Sequence, residues 1–434
     1  MANPRHTAVK LLCKTFSENS FSNIQLDSGL KNSDLDESGR KFCSAVYYGV
    51  IERKIYLDYI ISKLASRPLK KLDNVVLNIL RSGLYQMIFM DNIPESAVVN
   101  ESVSLVKMFR KTSASGMVNA VLRNFIRQGK KVEMPKNRLE MYSVKYSAPV
   151  GLVKSLIDDY GVELAENLLS DALGSPPVTV RMNTLKCSEE EFKASLGDIK
   201  AEKSSVISEC FTLSGGDAVR TEAFKKGFFH VQDMASQLCC IALAPTEADN
   251  VLDICSAPGG KAFTMAELMG GRGIIQAFDL HEKRVNLIRD GAKRLGLANI
   301  SAETGDGTVF NEKLPKFTKI LCDVPCSGIG AIRRKPEIKY KDLAGFSGLP
   351  EIQYSIADNA LNYLATGGEM VYSTCTLRKA ENQEVVNRLL ENHPEIEFVE
   401  LPQPLGEKFG NMADIFPCHF GSDGFFIAKF RKVR

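Results

Sequence analysis

No stretch of the 434-residue chain is apolar for the 18 or so residues a membrane-crossing helix needs, so no transmembrane segment is expected. The opening Met1-Ala2-Asn3-Pro4-Arg5-His6 lacks the apolar core of a secretory signal, which points to the cytoplasm. Eleven cysteines without such a signal read as reduced thiols, and Cys239-Cys240 in their apolar stretch read as core. No Cys falls at zinc-ligand spacing from a His, and no metal is expected. Two nucleotide signatures are missing as well. Lys261 is followed by Ala262 rather than a hydroxyl residue, which excludes the Walker loop, and GxGxxG is absent.

The remaining composition is ordinary for a folded chain: 44% hydrophobic and 25% charged, with length for two or three domains. The net charge of +3 conceals an asymmetry. Residues 1–150 hold 23 basic against 13 acidic side chains, and the rest 32 against 39. A basic N-terminal third suits a polyanion, although a solvated helical surface has the same composition.

Residues 1–137 read as helical throughout. Ala8, Leu11, Leu12 and Phe16 recur at helical spacing, as do Val76, Ile79, Leu80, Leu84 and Met87. Asp73 is placed to cap the second of these helices. Arg123 and Arg127, with Lys107, Arg110, Lys111, Lys130 and Lys131, interleave with apolar residues, an amphipathic pair with one basic face. Residues 138–240 read as a small α+β module. Val178 to Asn183 alternates like a strand, Ser188 and Glu191 form a capping box, and Arg181 and Asn183 are candidates either for RNA contact or for a bland surface strand.

Residues 241–434 read as a Rossmann-like α/β domain. Asn250 to Lys261 is strand, tight turn and helix, with the turn Cys255-Ser256-Ala257-Pro258-Gly259-Gly260-Lys261. The glycines allow close backbone approach, and the helix start offers N–H groups to a carboxylate. The next strand ends at Asp279, placed for two ribose hydroxyls, and a third ends near Asp306, placed for an adenine amino group. Arg284, five residues past Asp279, either supports this site or faces solvent. A nucleoside with a carboxylate tail fits, which means S-adenosylmethionine. Two further apolar runs read as buried parallel strands ending at Asp323-Val324-Pro325-Cys326-Ser327-Gly328 and at Ser373-Thr374-Cys375-Thr376. A carboxylate and two thiols therefore converge at one sheet edge, which suggests covalent chemistry.

These three motifs resemble the signature set of the RNA 5-methylcytosine methyltransferases. Leu80-Arg81-Ser82-Gly83, Val99-Asn100-Glu101 and Val118-Asn119-Ala120 resemble the NusB family, a helical RNA-binding fold. Together with Ile332-Arg333-Arg334-Lys335-Pro336-Glu337-Ile338-Lys339, the chain resembles the bacterial RsmB/Sun family over essentially its whole length. Val324 stands where that family more often has Ala. The resemblance implies a multidomain enzyme: an all-α NusB-like domain, an α+β linker module and an S-adenosylmethionine methyltransferase domain. It implies methylation of cytosine C5 in small-subunit (16S) ribosomal RNA, at the position usually numbered 967. It implies Cys375 as the nucleophile at C6, Cys326 as the group aiding elimination, and Asp323 as hydrogen-bonding the base and contacting the cofactor. The reverse roles for the two thiols, as in DNA cytosine methyltransferases, stay open here. The target is expected unstacked in a hairpin loop, with Arg333, Arg334, Lys335 and Lys339 holding phosphates and the protein a monomer. Transfer RNA as substrate, a non-catalytic RNA-binding assembly or antitermination factor, and a small-molecule methyltransferase are the other readings. Intact thiols and cofactor acids weigh against the second. The basic helical region weighs against the third.

Overall fold

The computed structural model describes residues 3–18 and 22–434. Two compact units form, Met1–Gly174 with Ile332–Lys341, and Ser175–Ala331 with Asp342–Arg434.

The first unit is helical. Its centre is the helix Asn74–Phe89, which buries ten of its sixteen residues, among them Ile79, Leu80, Leu84 and Met87. The Asp73 carboxylate accepts from the N–H groups of Val75 and Val76, capping the helix as expected. Helices Pro4–Glu18, Glu37–Glu52, Lys54–Leu64, Glu95–Met108 and Ser115–Arg127 pack around it. Arg81, on the buried side, forks onto both Asp58 oxygens at 2.7 and 2.8 Å, so its charge is paired where water cannot reach it. Helices Arg138–Lys145, Val150–Tyr160 and Val162–Asp171 belong to the same unit. So does the ten-residue segment 332–341. Glu337 accepts from the Ser22 N–H and hydroxyl, and the Tyr340 hydroxyl donates to Ile51 O at 2.7 Å.

The second unit contains two sheets. The smaller is antiparallel: β1 (Val178–Met182), β2 (Lys200–Lys203), β3 (Cys210–Ser214) and β4 (Phe229–Val231), in the order β2-β3-β1-β4. The capping box at Ser188 and Glu191 forms on the helix between β1 and β2. Arg181 and Asn183 are not on a surface, so RNA contact by either is ruled out by burial. Arg181 is 3% exposed and donates to Glu267 at 2.8 Å, and the Asn183 amide donates to Gly227 O and Leu295 O.

The larger sheet comprises β5 (Asn250–Asp253), β6 (Ile274–Asp279), β7 (Ile300–Thr304), β8 (Phe317–Asp323), β9 (Leu364–Thr374), β10 (Ile396–Phe398), β11 (Met412–Ile415) and β12 (Phe425–Lys432). The order is β10-β12-β9-β8-β5-β6-β7, with β11 also on β12. Strands β5 to β9 run parallel, and β12 closes antiparallel against β9. Alternate residues feed opposite cores. Val251, Ile275, Leu321 and Val371 meet Leu238, Phe263 and Ile288 on one face, while Leu252, Ile320, Met370 and Tyr372 meet Ile356, Ala360 and Val386 on the other. Burial on both faces explains why these strands read as continuous apolar runs. The strand order reverses between β5 and β8, which opens a crevice at their carboxyl ends. No helix among the described residues is long and apolar enough to cross a membrane.

Candidate active site

Four strand ends supply carboxylates to that crevice: Asp253 on β5, Asp279 on β6, Asp323 on β8 and, just past β7, Asp306. Asp253 is buried, and beyond the Ser256 hydroxyl and Cys255 N–H of its own turn neither of its oxygens has a hydrogen-bond partner. Burial, then the nearby charge of Asp323, raises its carboxyl to about 7. A buried acid with so few partners is paired by a ligand or is neutral. Asp279, 4% exposed, is bridged by Arg284, whose Nη1 lies 3.0 Å from Asp279 Oδ2 and whose Nη2 donates to Ala257 O at 2.8 Å. Arg284 thus ties the loop at residues 255–261 to the β6 acid. Asp306 accepts from the hydroxyl and N–H of Thr308, which hold its carboxyl below the usual range. It borders a cavity of about 260 Å³ walled by Ile254, Phe278, Gly307 and Tyr363.

The loop between β5 and helix Gly260–Leu268 has little freedom. Gly259 has φ +103°, and a Cβ there would lie 2.5 Å from the Phe263 ring. Only glycine fits. Burial pushes the Cys255 thiol up, so it is inert in this loop. Lys261 donates to Asp323 Oδ2 at 2.8 Å, with its ammonium 5.1 Å from the Phe425 ring centre. Burial opposes its charge, but the Asp323 carboxylate together with the neighbouring Cys239 and Cys240 raises its pKa. Asp323 Oδ1 accepts from the Ser373 hydroxyl at 2.9 Å.

Beyond Asp323 the two thiols meet. Cys326 Sγ lies 3.3 Å from Cys375 Sγ. Cys326 is held well above its ordinary value, first by the hydrogen bond to Cys375 and then by burial. At that distance the two side chains form one hydrogen-bonded pair in which either sulfur can donate. The two loops are stitched together beside the pair: the Ser327 hydroxyl meets the Thr376 hydroxyl at 2.8 Å, and the Gly330 N–H donates to Cys375 O at 3.0 Å.

Several members of this constellation escape a reading of the sequence. Asp253, Gln353 and Glu381 are among them, although Asp253 lies two residues before the glycine loop and Glu381 follows Arg378 at helical spacing. Of the expected phosphate-binding residues, Arg123 and Arg127 lie exposed on the polar side of helix Ser115–Arg127. Arg333 and Arg334 are half-buried and Lys335 is exposed. Lys339 does not fit a phosphate role. It is 3% exposed, its ammonium donates to Glu52 O at 2.5 Å, and burial lowers its pKa to about 7. A cation enclosed in a helical core has no face left for RNA.

Comparison with known proteins adds three matches. Residues 240–431 match the family described as 16S rRNA methyltransferase RsmB/F, residues 2–127 the NusB family, and residues 148–220 the ferredoxin-like domain of RsmF/B-like methyltransferases. The "Probable ribosomal RNA small subunit methyltransferase B" of Bacillus subtilis is 36% identical, covering 99% of this chain and 98% of the relative. The crystal structure of PH0851 superposes with a TM-score of 0.84 at 23% identity over 100% of this chain and 99% of that one. NSun6 from Pyrococcus horikoshii, solved with SFG, superposes with a TM-score of 0.60 at 22% identity over 66% of this chain and 98% of that one.

Proposed function

The chain belongs to the RsmB/F family of 16S rRNA methyltransferases, which use S-adenosylmethionine, and from that premise we propose that it methylates C5 of one cytosine, the position usually numbered 967, through a covalent adduct on Cys375. The observation that carries this reading is the thiol pair, Cys326 and Cys375, 3.3 Å apart just past the ends of β8 and β9 and beside Asp323. The nucleophile's part, taken by a thiolate, is assigned to Cys375 because Ser373-Thr374-Cys375-Thr376 resembles the family's motif.

The residues fit the methyl donor. The Gly259 turn leaves room where a side chain would intrude, Asp279 suits the ribose hydroxyls, and Asp306 beside its cavity suits the adenine amino group. When bound, S-adenosylmethionine supplies an electrophilic methyl group on a sulfonium. The chain's own residues do the rest. Cys375 Sγ bonds to C6 of an unstacked cytosine, and the ring electrons move to C5 and N3. Asp323, fixed by Lys261 and Ser373, is held where it can hydrogen-bond the base edge. With Cys375 bonded to C6, Cys326 gives its own thiol proton to solvent water, and after C5 has gained its methyl group the Cys326 thiolate takes the C5 proton. The C5–H electrons re-form the C5–C6 double bond, and Cys375 leaves as thiolate. Burial makes the Cys326 thiolate a strong base once its resting proton is lost. The exposed Arg123, Arg127 and Lys335 are assigned to phosphate contacts with the RNA.

The test is methyl transfer from labelled S-adenosylmethionine to unmodified small-subunit ribosomal RNA, with the product mapped by bisulfite sequencing. One modified cytosine in a hairpin loop is expected. Label on transfer RNA alone overturns the substrate. Cys375→Ala abolishes transfer, and Cys326→Ala accumulates an RNA adduct stable to denaturing electrophoresis. An adduct in Cys375→Ala instead would reverse the two roles.

A further inference from the structure

We propose that Glu381, working with Gln353, is a positioning residue that holds Cys326 in register with Cys375 for the release step. This rests on the reading above that Cys326 takes the C5 proton while Cys375 is bonded to C6.

Glu381 is completely buried just downstream of the Cys375 loop. Its Oε2 accepts from the Ser327 N–H at 2.8 Å and from Gln353 Nε2 at 3.0 Å. The same Gln353 nitrogen donates to Pro325 O at 2.9 Å. Pro325 and Ser327 are the two neighbours of Cys326, so one carboxylate–amide pair grips the backbone on both sides of that thiol. The other end of the clamp reaches the Cys375 strand. The Glu381 carbonyl accepts from the Tyr372 hydroxyl at 2.6 Å, three residues before Cys375, and Glu381 Oε1 pairs with Arg378 at 3.0 Å. Next door, the Thr374 hydroxyl donates to Asn382 Oδ1 at 2.6 Å, and the Asn382 amide returns to Thr376 O at 3.0 Å.

Stability alone gives little reason for an anion at this point. A buried ion pair is often no better for stability than an apolar pair of the same volume. A carboxylate with one oxygen facing two donors does offer fixed, directional grip on a loop that has no regular secondary structure between β8 and residue 329. The chemistry needs that grip. C5 and C6 are bonded neighbours, so both sulfurs must address adjacent ring atoms at once, and a displacement of about 1 Å costs on the order of a hundredfold in rate. Attack by Cys375 tolerates a wandering Cys326, whereas proton removal by Cys326 does not. Loosening the clamp therefore slows release more than it slows attack.

The experiment compares wild type, Glu381→Gln, Gln353→Leu and Cys326→Ala as full-length proteins, each with S-adenosylmethionine and unmodified small-subunit ribosomal RNA. Two readings are taken: methylated product per minute, and the fraction of protein retained on RNA in denaturing gels. Loss of a charge-assisted hydrogen bond is worth roughly tenfold or more. Glu381→Gln is expected to retain at least that much more adduct than wild type, at an unchanged KM for S-adenosylmethionine. A merely structural residue would lower product formation and adduct together, in step with the melting temperature. That result, with Cys326→Ala still trapping RNA, overturns the proposal while leaving the assigned thiol roles intact. No adduct in Cys326→Ala overturns the thiol roles themselves. Should Glu381→Gln fail to fold, Gln353→Leu is read by the same criteria, and failure of both to fold overturns the proposal, since the pair then serves the fold.

Discussion

Replacing Arg181 with Met should destabilise the second unit more than almost any other single change in it. Arg181 and Glu267 are 3% and 1% exposed at the side chain and 2.8 Å apart. Removing the cation leaves the Glu267 carboxylate enclosed, with His230 Nδ1 3.4 Å away and Glu267 Oε1 already without a hydrogen bond. An uncompensated buried charge of this kind costs about 3–5 kcal/mol. At roughly 2–4 °C per kcal/mol for a unit of this size, the transition should fall by on the order of 6–20 °C. Glu267 lies on helix Gly260–Leu268, whose start carries the Gly259 turn, so S-adenosylmethionine affinity should fall with it. Thermal melts of the full chain, with titration calorimetry for the donor, read both effects. The double variant Arg181→Met, Glu267→Leu removes the orphaned charge and should recover most of the loss. A single variant that melts with wild type, or a double variant no better than the single, would refute the reasoning.

Three other expectations follow from particular groups. Asp253 has a folded pKa of about 7, above its ordinary 3.8, so its stabilising contribution is full at acid pH and is lost as pH rises through 7. Without donor, Asp253→Asn should therefore melt above wild type at pH 8, by a margin that narrows at pH 5. Lys339 is shifted the other way, to about 7 from 10.5, so the unfolded chain binds the extra proton between those values and stability rises with pH across that window. Melts of Lys339→Met should lack this rise, and its advantage over wild type should shrink from pH 7 to pH 10. Gly330→Ala would put a Cβ 2.0 Å from Gly424 O and 2.9 Å from Cys375 O. Because both obstacles are backbone, overpacking of about 1–3 kcal/mol is expected in denaturant unfolding, together with a methyl-transfer defect larger than the loss of fold explains.

The edge that carries the candidate site was legible because parallel strands buried on both faces announce themselves as apolar runs, and their ends locate ligands. Asp279, Asp323, Cys326 and Cys375 could be placed on that edge from sequence order alone. Local signals were legible too: the Asp73 cap and the Ser188–Glu191 box need only neighbours three residues apart or fewer. What escaped depends on partners distant in the chain. Arg181 sits on a strand that alternates like a surface strand, and its burial follows from Glu267, 86 positions on. Lys339 looked like part of a basic turn because Arg333, Arg334 and Lys335 precede it, yet its receptor is the carbonyl of Glu52. Glu381 carries no local mark, because its partner is the N–H of Ser327, 54 positions earlier in the chain.

The ten residues 332–341 also bear on how the protein is made. The helical unit cannot be completed from the chain up to Gly174, because Glu337, Lys339 and Tyr340 fill places in it. During synthesis the ribosome must first add everything from 175 to 331. At about 5–20 residues per second, the early helices wait roughly ten to thirty seconds for their last piece. A nascent chain stalled before Lys341 should hold an unfinished, chaperone-accessible helical core. The order of translation is therefore not the order in which this protein's units close, and a gene cut between residues 174 and 175 would yield two fragments rather than two domains.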